Sequence, residues 1–136
     1  MIRIDHIGIA VKDIEQSRSL FESLLGVPEY KSEMVTSENV LTSFFQSEHS
    51  KIELLHSDDP DNVINRFIAK RGEGIHHIAF EVEDIRTAIS DLQAKGFQFI
   101  SDEPKLGADN KMICFLHPKS ANGVLIELCQ SIKDDF

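Results

Sequence analysis

The chain has 136 residues, 41% hydrophobic and 27% charged, which suits one compact domain able to bury a core without staples. Its net charge of −9 disfavours a nucleic-acid partner, because phosphate binding needs a surplus of Lys and Arg, yet leaves room for an anionic small ligand in a locally basic pocket. No apolar run approaches the ~20 residues of a membrane span. The opening MIRIDHIGIAV lacks a basic region before a long apolar stretch, so a cytoplasmic protein is expected.

Residues 3–11 alternate as a strand does, with Ile7, Ile9 and Val11 on one side and His6, Gly8 and Ala10 on the other. Asp13 then offers a helix N-cap with Gln16 three residues on, and Gly26 is placed to end the helix. Its expected apolar stripe is Ile14, Phe21, Leu24 and Leu25. Strands are expected near 39–46 and 50–56, and PDNVINRFIAK (60–70) reads as a linker helix with Val63, Ile64, Phe67 and Ile68 inward, stopped by RGEG.

The chain then repeats itself. HHIAFEVEDI from His76 matches DHIGIAVKDI from Asp5, with His77 on His6 and Asp84 on Asp13 at a constant offset of 71 residues. A helix follows with the stripe Ile85, Ala88, Ile89 and Leu92, ending near Gly96, and strands are expected near 97–101, 111–117 and 123–130. A second echo sets LIELC (from Leu125) on KIELL (from Lys51), pairing Glu127 with Glu53. One domain, 1–136, thus contains two βαβββ modules, about 1–58 and 72–130. The expected fold class is α+β, with the tandem modules forming a curved mixed sheet around an internal metal-binding cleft.

Four residues call for a chemical reason. His6 and His77 share their strand faces with small neighbours, so that face is the roomy one. Glu53 and Glu127 each lie in an apolar strand, where an ionised carboxylate is costly unless paired or bound to a cation. One such Glu is ordinarily solvated; two at equivalent positions, beside two equivalent histidines, point to one shared divalent ion: Co, Ni, Zn, Mn or Mg. His76 falls on the opposite face and is expected to be structural. Cys114 and Cys129 sit in apolar runs without a CxxC pattern and read as buried thiols.

With these residues in view, the chain resembles the vicinal oxygen chelate superfamily over about residues 3–130, and within it most nearly the methylmalonyl-CoA epimerases. The likeness rests on DHIGIAVKDI, KIELLH, GIHHIAFEV (74–82), DEPKLGADNK (102–111) and FLHPKSANGVLIEL (115–128). It implies metal ligands at His6, Glu53, His77 and Glu127, a homodimer, a CoA thioester substrate and epimerisation by proton removal and return at the carbon beside the thioester carbonyl. Glu127 is the first candidate for a proton-transfer base and Glu53 the candidate for the other side. Lys105, Lys111 and Lys119 are candidate contacts to CoA phosphates or the substrate carboxylate, with His117 beside the expected pocket mouth. Some epimerases carry a catalytic glutamate in the second strand of the first half; here that stretch is NVLTSFF (39–45), with Thr42 near that place. Two rival readings are a glyoxalase I-type lyase acting on a glutathione hemithioacetal, which would use the same ligands, and a non-catalytic drug-binding resistance protein, which would not need all four.

Overall fold

The structure is a computed structural model and describes residues 2–132. The first module runs β1 (Arg3–Ala10), α1 (Ile14–Leu25), β2 (Lys31–Val35), β3 (Val40–Gln46) and β4 (Lys51–His56), followed by α2 (Val63–Arg71). The second runs β5 (Gly74–Glu81), α3 (Ile85–Ala94), β6 (Lys105–Gly107), β7 (Lys111–Leu116) and β8 (Ile126–Ser131). The duplicated βαβββ order expected from the repeat is present, and each module's pairing is the same. β1 runs parallel to β4 and β5 parallel to β8, while β2–β3–β4 and β6–β7–β8 are antiparallel. The fold is therefore α+β with mixed sheet pairing. The chain divides into two compact units, one of them His6–His76, which takes α2 with the first module.

The helix boundaries follow the caps. Asp13 Oδ1 accepts from the Gln16 N–H at 3.0 Å, and Asp84 Oδ1 accepts from the Thr87 N–H at 3.1 Å. Gly26 closes α1 at φ +71°, a left-handed conformation that costs a side chain but not glycine, and its N–H donates to the Glu22 carbonyl. Asp13→Ala should cost about 1 kcal/mol, because it leaves the Gln16 N–H without its acceptor. Chemical denaturation of the variant beside the wild type measures it, and an unchanged midpoint would assign the cap no energetic role.

In the first module Ile9, Val11, Leu41, Phe45, Ile52 and Leu54 pack under Ile14 and Phe21 of α1. The other face carries Ala10, Val40 and Leu55, which meet Ile64, Phe67 and Ile68 of α2. In the second module the expected α3 stripe of Ile85, Ala88, Ile89 and Leu92 packs on Cys114, Leu116 and Leu128.

Four expectations are corrected. Leu24 and Leu25 of α1 are exposed at 68% and 41%, since the helix packs on the sheet through Ile14 and Phe21. Val63 is likewise exposed, at the first position of α2. A strand at Lys31–Val35 carries no apolar alternation, having Lys and Glu on one face and an exposed Met34 on the other, so its edge position gives it no sequence signature. Residues 97–101 contribute only the bridge Phe99–Leu116; the Asp102-Glu103-Pro104 segment interrupts the pairing, and the strand resumes at Lys105.

Candidate metal and active site

Strand register fixes the surroundings of both glutamates. On β4, Glu53 lies between Gly8 of β1 and Phe44 of β3. On β8, Glu127 lies between Ala79 of β5 and Phe115 of β7. In both modules a small residue stands on one side of the carboxylate and a phenylalanine on the other. The histidine stands two residues before the small one, as His6 before Gly8 and His77 before Ala79. Alternation puts these residues on the face turned away from α1 in the first module and from α3 in the second.

Each module brings its own histidine and glutamate together. His6 Nδ1 lies 3.0 Å from Glu53 Oε2, and His77 Nε2 lies 3.5 Å from Glu127 Oε1. All four residues are buried, between 3% and 6% exposed. The His77 ring meets Phe115 edge-on with centroids 5.7 Å apart, which holds the imidazole plane. These four side chains are among the buried groups able to offer ligand atoms to a metal ion, and Asp5 is another. In each module a buried imidazole beside a buried carboxylate offers the nitrogen and oxygen donors that a divalent ion of borderline or hard character takes, so the donor chemistry fits a metal.

The other titratable side chains sort differently. His76 is turned to the opposite face and meets Phe67 edge-on at 5.0 Å, and burial pushes its pKa down to about 4, so it is neutral at pH 7. Burial, with a lesser push from the Glu127 charge, raises the Cys114 thiol to about 12; burial raises Cys129 too. Cys114 is paired in register with Leu128, and Cys129 with Ile113. The two thiols therefore lie on opposite faces and are free, as buried, unreactive cysteines should be.

Lys105 and Lys119 are exposed, as a cation reaching for a ligand in solution requires. His117 has a local role: its Nδ1 accepts from the Lys119 N–H at 3.1 Å and caps the short turn Pro118–Ala121. Lys111 is not a solvent-facing lysine. It is 6% exposed, with Nζ 3.2 Å from Asp5 Oδ1 and donating to Ser131 Oγ at 3.0 Å. Ser131 donates to Glu81 at 3.1 Å, and Glu81 pairs with Arg3. Sequence reasoning missed Asp5, which is 1% exposed; the available signal was a lysine opening an otherwise apolar strand, KMICFL, which demands a buried counter-ion.

This is the arrangement of a duplicated βαβββ protein with one buried His–Glu pair per module. The chain belongs to the Glyoxalase/Bleomycin resistance protein/Dioxygenase superfamily, whose sequence pattern matches residues 5–115. Among its relatives, the uncharacterized protein YqjC of Bacillus subtilis is 39% identical over 130 residues, covering 96% of this chain and 93% of that one. The ethylmalonyl-CoA/methylmalonyl-CoA epimerase of Cereibacter sphaeroides is 39% identical over 130 residues, covering 94% and 97%. A point variant of Streptomyces coelicolor methylmalonyl-CoA epimerase, solved in complex with 2-nitronate-propionyl-CoA, superposes with a TM-score of 0.89 at 33% identity, covering 98% of this chain and 97% of that one. Among the described residues, no helix is long and apolar enough to cross a membrane.

Proposed function

We propose that this chain is a metal-dependent epimerase that interconverts the two C2 epimers of methylmalonyl-CoA. The observation that carries the reading is the buried His–Glu pair at the same register position in each module, in a chain similar along nearly its whole length to proteins named as such epimerases. His6, Glu53, His77 and Glu127 are the proposed ligands of one divalent ion per subunit: Co, Ni, Zn, Mn or Mg. When bound, the ion supplies stabilisation for negative charge that develops on the thioester oxygen.

The protein's own groups then have two tasks. One is to transfer the proton at C2. Glu127 takes or returns it on one side of the substrate, since its contact with His77 at 3.5 Å is looser than the 3.0 Å contact between Glu53 and His6. The first module supplies the base for the other side. The second task is to hold an anionic substrate on an acidic protein, for which Lys105 and Lys119 are the proposed cations, with His117 fixing the turn that carries Lys119. The remaining parts of the reading are a homodimer and a cytoplasmic site of action.

The test is hydrogen–deuterium exchange at C2 of methylmalonyl-CoA in deuterated water, followed by mass spectrometry or NMR. Exchange with epimerisation should be rapid. It should fall at least about a hundredfold after chelation, the order of a lost electrostatic stabiliser, and return on adding Co or Mn. Absence of exchange in metal-loaded protein would sink the reading. Turnover of a glutathione hemithioacetal in its place would favour the lyase.

A further inference from the structure

We infer that Glu33 is the proton-transfer base of the first module. The assignment rests on the epimerase reading. An epimerase needs a base on each side of C2, and Glu53 is poorly suited to be one. Its carboxylate is held 3.0 Å from His6, closer than the 3.5 Å between Glu127 and His77, so it is the less free of the two to turn to a substrate. The register of β2, β3 and β4 puts another carboxylate on the same face.

Glu33 of β2 pairs directly with Thr42 of β3, and Lys31 pairs with Phe44. Phe44 pairs in turn with Glu53. Directly paired residues in an antiparallel sheet have Cβ atoms about 5 Å apart on the same face. Glu33 therefore stands over Thr42 on the Glu53 face, at the sheet edge, within reach of water. Its side chain is 36% exposed, against 4% for Glu53, so it is wet enough to recycle a proton and yet part of the site wall. Lys31 Nζ is 3.8 Å from Glu33 Oε1 and 4.6 Å from the Phe44 ring centre. The lysine is thus laid across the aromatic floor with the carboxylate beside it.

The duplication offers an internal comparison. In the second module the residue two before Phe115 is Ile113, and its edge-strand partner is Lys105. The position that carries Glu33 in the first module carries a lysine in the second. The second module already has Glu127 for proton transfer and uses its edge for a cation, while the first uses its edge for a base.

The step balances without any outside reagent. As the C2–H bond breaks, the proton forms an O–H bond on Glu33, and the electron pair moves into the thioester carbonyl to give an enolate. A proton delivered to C2 from the opposite side re-forms the C–H bond, and the two bases exchange protons with solvent to reset.

Glu33→Gln tests this, because a protein with one base left still exchanges the epimer that this base serves. Epimerisation by the variant should fall at least about a hundredfold, within the usual range for a lost general base. C2 exchange with deuterium should vanish for one epimer and stay within about threefold of wild type for the other. Met34→Gln, on the outward face of the same strand, should leave both unchanged and controls for damage to the edge. Epimerisation retained within about threefold, or equal loss of exchange from both epimers, would overturn the assignment. Wild-type protein that exchanges neither epimer would instead overturn the epimerase reading, and the assignment with it.

Discussion

Glu127→Gln is expected to lower epimerisation of methylmalonyl-CoA by about 10²- to 10⁴-fold, the range for removing a positioned general base. The amide keeps the shape of the side chain between Ala79 and Phe115 but cannot accept a proton at neutral pH. It can still offer one oxygen to a cation, so metal content measured on the purified variant should fall less than activity does. Glu53→Gln provides the contrast. Its register position is the same, between Gly8 and Phe44, so a purely ligating role predicts similar metal loss with retained exchange for both epimers. Steady-state rates, metal analysis and exchange from each pure epimer separate the two roles. Equal effects of the two substitutions on all three readouts would refute the division of labour between the glutamates.

The largest effect on stability is expected at Lys111. Lys111→Met removes the ammonium from a carboxylate, Asp5, that is 1% exposed, while filling similar space. An uncompensated buried charge costs about 3–5 kcal/mol, which corresponds to a fall in melting temperature of roughly 10–20 °C for a chain of this size. Ser131 and Glu81 extend the network outward to Arg3 but cannot replace the cation next to Asp5. Combining Lys111→Met with Asp5→Asn should recover much of the loss, because the charge that needed the partner is then gone. Urea unfolding of both single variants and the double variant closes the cycle. A Lys111→Met cost under about 1 kcal/mol would show that the pair is solvated or that Asp5 protonates at little expense.

The two buried positions differ in how they could be read beforehand. The glutamates announce themselves because the chain repeats: Glu53 and Glu127 recur in the same apolar context, each in a module that opens with a histidine strand. Asp5 and Lys111 have no such echo, since His76 stands at the position equivalent to Asp5 and meets Phe67 in place of a lysine. A pairing between residues over a hundred positions apart is invisible to local pattern. The same holds for β2, whose Lys31-Ser32-Glu33-Met34-Val35 has no strand-like hydrophobic alternation and is a strand only because β3 pairs with it.

What the sequence determined by itself was whatever is encoded locally or twice: the module order, the capping aspartates, the α3 stripe, and the two histidines and two glutamates. Local periodicity and capping chemistry act within a few residues, and duplication supplies an internal comparison, so these needed no coordinates. Only the tertiary structure decided which face each edge-strand residue takes, that Lys111 is buried on Asp5, that Leu24 and Leu25 are left exposed, and that Glu33 stands opposite Thr42. Those outcomes depend on strand register and on the extent of the neighbouring surface, which are set by partners remote in the chain.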